Sequence, residues 1–233
     1  MKKSHIATLI VFLVLIPLTL ILGSRLSGRA FYVTSTLVIV ELLIPFFLAF
    51  EGRRPQARVL AVMCALAVAG RVAIPIPSFK AIFGIIMIAG IAFGPESGFL
   101  VGAISALASN FFYSQGPYTP WQMMAYGAGG MLAGFVFAQG RLPRKPVIMG
   151  IFGFLAVTFF VGPLLDTCSV FLVMSRISLK GAMAFYISGF PVNLRQAVAT
   201  AIVLLVLGKP LLEKLDRIKT KYGILDDEGR KEA

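Results

Sequence analysis

Residues 31–50, FYVTSTLVIVELLIPFFLAF, run for twenty positions with a single charged side chain, Glu41. A helix of that length rises about 30 Å, the thickness of the hydrocarbon core of a bilayer. Residues 6–23, IATLIVFLVLIPLTLILG, repeat the pattern with no charge at all. Neither stretch alternates apolar and polar positions as a barrel strand would. The whole chain agrees: of 233 residues 58% are hydrophobic and only 14% charged, with a mean hydropathy of +0.89. Soluble domains carry roughly a quarter charged residues, so this chain lacks the polar surface that water demands. The expected fold class is an all-α integral membrane protein.

Outward from these two segments, apolar runs and helix breakers predict eight helices, near 6–23, 31–50, 57–76, 80–94, 97–113, 119–139, 147–174 and 188–208. Lys2 and Lys3 resemble the start of a secretory signal, but no small-x-small cleavage site follows the apolar run, so the first helix is read as retained. The basic stretch EGRRPQAR, 51–58, divides the chain. Residues 1–50 form an N-terminal transmembrane helix pair, 51–212 a six-helix core, and 213–233 a charged cytoplasmic tail, amphipathic from about Leu207 onward. No internal repeat is visible, so the inverted symmetry of many secondary transporters has no support here.

Net charge is +12. In a soluble protein that balance would suggest nucleic acid; in a membrane protein the positive-inside rule accounts for it. With the N-terminus inside, 15 of the 22 cations fall on that side, including Arg53, Arg54, Arg58, Arg141, Arg144 and Lys145. The expected location is the cell membrane, multi-pass, with both termini cytoplasmic and no nucleic-acid partner. Cys64 and Cys168 lie inside apolar runs and read as small hydrophobes.

Three patterns carry more information. Alanines at 57, 61, 65, 69 and 73 recur every fourth residue and make one smooth helix face. In lipid such faces allow close helix approach, either to this chain's own helices or to a partner subunit. Gly90, Gly94, Gly98, Gly102 and Ala106 form a second small-residue series that crosses the Gly94-Pro95 turn, so it serves the packing of two short helices. Residues 110–130, NFFYSQGPYTPWQMMAYGAGG, crowd aromatics and amides around a tight turn stiffened by Pro117 and Pro120. An interfacial aromatic belt would explain Tyr118 and Trp121. The clustered amides Asn110, Gln115 and Gln122 point instead to a ligand.

Catalytic groups are scarce. The only histidine is His5, which removes Ser-His dyads and helical HExxH zinc sites, and no GxxxxGK[ST] loop is present. Asp166 is an intramembrane carboxylate without an acidic neighbour, and Arg195 enters from the same side at comparable depth. Pairing of the two and lining of a pocket are compatible readings. A channel or proton-coupled carrier, the competing class, usually shows more ionisable groups inside its spans.

From about Ala57 to Leu215 the chain resembles the substrate-binding S-components of energy-coupling factor (ECF) transporters. The resemblance is carried by Ala61-x-x-x-Ala65-x-x-x-Ala69, by FGPESGFLVGAISALASNFF at 93–112, and by QGPYTPWQMMAYGAGGMLAG at 115–134, which is similar to the cobalamin-type members. It implies a six-helix S-component-like core; the two additional N-terminal transmembrane helices that precede this core, residues 1–50, depart from the family's usual six. It also implies a subunit without catalysis or cofactor that captures a vitamin outside, cobalamin being transported substrate only. The partners implied are a shared ECF transmembrane coupling subunit, met by Ala61, Ala65 and Ala69, and two cytoplasmic ATPase subunits. The outer loops 74–80, 113–120 and 175–190 would form the site. The side chains expected to line it are Tyr113, Gln115, Tyr118, Trp121, Gln122, Tyr186, Asn193 and Arg195, with Asp166 orienting Arg195 and with Phe79 and Lys80 from the first loop.

Overall fold

The structure, a computed structural model, describes residues 10–24, 30–49, 57–138, 140–174 and 178–222. Lys2, Lys3, Arg25, Arg29, Arg53, Arg54, Arg176 and the chain beyond 222 therefore lie outside the described residues. Among those described, all regular structure is helical. A π turn at Val11–Leu15 leads into α1 (Ile16–Ser24), followed by α2 (Ala30–Ala49), α3 (Ala57–Val72), α4 (Ile82–Phe93) and α5 (Pro95–Tyr113). Then come α6 (Thr119–Phe137), α7 (Pro146–Val173) and α8 (Leu179–Tyr222).

Every residue of α4 is buried, and the helix touches α3, α5, α6, α7 and α8. A helix that is apolar all round belongs inside such a ring. Its neighbours approach with backbone against backbone. A Cβ added at Gly98 would lie 2.6 Å from the carbonyl carbon of Gly130 and 2.8 Å from the Cα of Gly90. Glycine is required there because association in lipid rests on close packing rather than on escape from water. Between α4 and α5 the chain reverses at Gly94, whose φ of 96° suits glycine, with Pro95 opening the next helix.

The outside of the bundle is greasy. Val62, Phe159, Ile187 and Val206 are all exposed, among many other large apolar side chains. On a water-soluble monomer such a surface would be an aggregation liability; against acyl chains it is at home. Among the described residues, two helices, α7 and α8, are long and apolar enough to cross a membrane, with Val33–Ile44 and Ile82–Phe93 as shorter apolar helices. The N-terminal helix α2 packs beside α6 and α7, and Glu41 on it accepts a hydrogen bond from Thr19 of α1 at 2.6 Å.

Two expected boundaries move. Helix α3 stops at Val72 rather than 76, because Pro75 and Pro77 push the residues before them into extended conformations. Helix α8 is continuous over 44 residues, with Pro191 and Pro210 inside it, where the sequence suggested a loop over 175–190 and a separate tail helix. Its distal part stays attached because Leu212 and Leu215 are buried in the core and Arg144 reaches Asp216 at 3.5 Å.

Candidate functional site

Helices α4 and α5 leave the same turn, but α5 is seven residues longer, so it rises about 10 Å further. The volume above the first turn of α4 is consequently free. A cavity of about 440 Å³ occupies it, with Phe83 among its lining residues. Its walls come from the end of α3, the 73–81 loop, the end of α5, the start of α6, the middle of α7 and residues 192–196 of α8.

Each wall has a local reason. On α6, Tyr118, Gln122 and Tyr126 are spaced four apart, which stacks them on one face toward the cavity. Tyr126 meets Phe83 edge-on, with ring centroids 4.5 Å apart. On α7 a π turn at Val157–Val161 precedes Gly162, and Val157, Gly162 and Leu165 line the cavity. Such turns re-aim a helix face and recur at functional sites. Gly162 leaves room for Asn193, since a Cβ there would sit 2.7 Å from the Asn193 amide nitrogen. The two non-glycine residues with positive φ among those described, Ser78 at 57° and Ser114 at 79°, both flank this space; unfavourable backbone of that kind persists only where the surroundings enforce it.

The polar groups divide into those spent on the scaffold and those left for a ligand. Asn110, fully buried, donates to Thr119 Oγ1 at 3.0 Å and to Gln122 Oε1 at 2.8 Å, tying the end of α5 to the start of α6. Arg71 donates through Nη1 to Ser109 at 2.5 Å and to Asn110 Oδ1 at 2.8 Å. Its guanidinium lies over the rings of Tyr113 and Tyr126, 5.0 and 5.6 Å from their centroids. Lys80 donates to the Ile74 carbonyl, and Gln196 donates to the Lys80 carbonyl at 2.7 Å. Tyr113 and Tyr118 are anchored through their hydroxyls to the carbonyls of Arg71 and Ser114, at 3.0 and 2.8 Å.

Of the side chains expected from sequence, Lys80, Tyr113, Tyr118, Gln122 and Asn193 line this cavity. Gln115 does not: it donates to the Leu107 carbonyl and accepts from Thr119. Trp121 points away, stacked on Phe171 at 5.4 Å and packed with Ile39 and Cys168 beneath α2. Phe79 is also outside the lining. Tyr186 is exposed and shares a 2.8 Å hydrogen bond with Thr167.

The expected Asp166–Arg195 pair is replaced by another. Asp166 accepts from Asn193 Nδ2 at 2.7 Å, while Arg195 is exposed and turns its Nε to the Pro191 carbonyl at 3.3 Å. Residues two apart on a helix face in opposite directions, so α8 presents Asn193 or Arg195 to α7, never both. Gly189, one turn earlier, makes space for the Asp166 carboxylate.

Arg71, Tyr126 and Gln196 line the cavity without having been singled out from sequence. The signals existed. Arg71 is the only charge on α3 beyond Arg58 in its first turn, and the other two sit one helical turn beyond Gln122 and Asn193.

Ala61, Ala65 and Ala69 are exposed, on the side of α3 opposite buried Met63, Cys64 and Ala67.

A family model for the S component of ECF-type riboflavin transporters matches residues 56–213. No curated protein and no solved structure gives a match. The S-component resemblance is thereby upheld at the level of the family, while its cobalamin-type refinement is not supported, the match being to the riboflavin type. That family comprises substrate-binding components of transporters rather than enzymes, membrane-embedded and working with an ECF transmembrane and ATPase module. With a match covering most of the chain, from the start of α3 to Glu213 within α8, this protein belongs to the family of ECF-type riboflavin transporter S components.

Proposed function

We propose that this subunit captures a flavin, riboflavin or a close relative, in the cavity above α4 and delivers it to the shared coupling subunit. The observation that carries the reading is the cavity itself. Its volume of about 440 Å³ lies toward the lower end of the range for small-molecule sites, roughly 300–1,000 Å³. A flat tricyclic ring suits that space, and a corrin with its amide fringe and nucleotide loop is several times too large. Phe83, Tyr126, Val157 and Leu165 offer apolar and aromatic surface to a ring. The Asn193 carbonyl oxygen, the Gln196 carbonyl oxygen and the Gln122 amide nitrogen offer acceptors and donors to the edge of a fused pyrimidine.

The opposite end of the bundle supports the cavity facing outward. There Arg144 and Lys219 pair with Asp216, and Lys219 lies over Phe93. Arg141 and Lys145 share the α6–α7 connection with Arg144, and Lys214 lies two residues before Asp216 on α8, as the cytoplasmic side of a membrane protein requires. The exposed alanine face of α3 is the surface we assign to the coupling subunit's helices.

Absorbance and mass spectrometry of small molecules retained by the purified subunit, with cobalt measured in parallel, test the reading. A retained flavin is expected; a retained corrin with cobalt overturns it. Ala65→Leu, which puts an isobutyl group on the docking face, is expected to abolish co-purification with the coupling subunit. Ligand affinity should stay unchanged.

A further inference from the structure

We infer that the bound ligand is an anion, and that Arg71 and Lys80 form the subsite for its charged oxygens. This deepens the flavin reading and rests on it: the substrate would be a flavin bearing a phosphate or carboxylate rather than a neutral one.

The two cations converge on one ring. Arg71 Cζ is 5.0 Å and Lys80 Nζ 5.9 Å from the centroid of Tyr113. Both charges lie within 6 Å of the same ring centroid, and like charges that share a site repel in a medium of low dielectric. What holds them is neutral: a hydroxyl and an amide oxygen for Arg71, a backbone carbonyl for Lys80, and the face of the tyrosine. Among the described residues no aspartate or glutamate lines the cavity. Asp166, behind the lining residue Asn193, accepts a hydrogen bond from it. Helices α3 and α5 both end here, and their carbonyl termini offset part of the excess, each as a fraction of one charge. The remainder lacks a counter-ion among the described residues.

The free donors also have the right shape. Arg71 spends Nη1 on Ser109 and Asn110, while its Nε and Nη2 have no partner among the described residues. Those two nitrogens form one edge of the guanidinium, the planar fork that grips two oxygens of a phosphate or carboxylate at once. Lys80 has spent one of its three N–H donors. The ligand's ring would lie against Phe83 and Leu165, with its charged group between the two cations.

Titration of the full-length subunit in detergent, read by flavin fluorescence, separates the possibilities. The probes are riboflavin, riboflavin 5′-phosphate and carboxymethylflavin, whose carboxylate replaces the sugar-alcohol chain. The charged flavins are expected to bind roughly tenfold or more tighter than riboflavin, and the order of the two identifies which anion the fork prefers. Arg71→Gln and, independently, Lys80→Met should bring the ratio of charged to neutral flavin affinity toward one, whatever the change in riboflavin affinity itself. Arg71→Lys, which keeps the charge and loses the fork, should retain only part of the preference. Equal or tighter binding of neutral riboflavin by the unaltered protein overturns the inference. So does a uniform weakening of all three probes by both variants, the signature of a purely structural role at the helix ends. If none of the three flavins binds, the flavin reading fails and the anion is judged on what co-purifies. An acidic small molecule retained by the unaltered protein and lost from Lys80→Met supports the subsite, and a neutral or cationic one overturns it.

Discussion

Two faces of α6, drawn from the same few residues, do different work. Tyr118, Gln122 and Tyr126 face the cavity, whereas Trp121, one position from Gln122, is buried against Phe171 and Ile39. Residue type alone would rank the tryptophan as the best ligand platform in the segment. Its angular position on the helix decides otherwise, because a step of one residue rotates a side chain by about 100°. The N-terminal helix α2 supplies the other half of the difference by closing over the tryptophan face. The same turn is thus a ligand wall on one side and a joint between α2 and the core on the other.

A third face of α6 gives the largest expected effect. Gly130→Val would drive a branched side chain into the backbone at Gly98. Overpacking with no flexible neighbour to yield should leave no monodisperse protein on size exclusion. Trp121→Ala comes next. Loss of a buried indole costs about 3 kcal/mol, so the melting temperature should fall clearly while ligand affinity changes less than about threefold. A large affinity loss at unchanged melting temperature would merge the two faces and break the comparison.

Gln122→Ala should do the reverse, weakening ligand binding about tenfold with a melting temperature lowered by only a few degrees. Asn110 keeps Thr119 as a partner in that variant, which limits the structural cost; isothermal titration beside a thermal melt reads both quantities. Arg195→Ala is the smallest. The side chain is exposed and bonded only to its own helix, so affinity and stability should both stay within about twofold. A tenfold loss of affinity would mean that this side of α8 turns inward when ligand is present.

Much of the architecture was legible in the chain. The spans, the Gly94-Pro95 reversal and the stiff turn at 116–120 are local matters of apolar run length, glycine and proline. So was the smooth face of α3, whose alanines recur at helical spacing. Most of the cavity lining was less so. The amides at 110, 115 and 122 drew attention as ligand groups, yet most of their capacity holds α5 to α6. Arg71 was hidden as one more cation near a helix end. Asp166 found Asn193 rather than Arg195, a choice that depends on the rotation of α8 and on the gap at Gly189.

The amino-acid sequence by itself determined that this chain lives in a membrane, where its helices other than α8 begin and end to within a turn or two, and which helix carries a bare alanine flank. Only the tertiary structure decided which face of each helix looks at the cavity, which at another helix and which at lipid. The reason lies in the solvent. In water, an amphipathic pattern marks the buried side of a helix, but acyl chains are as apolar as leucine. Lipid-facing and core-facing positions therefore read alike, and inside is defined by the neighbours alone.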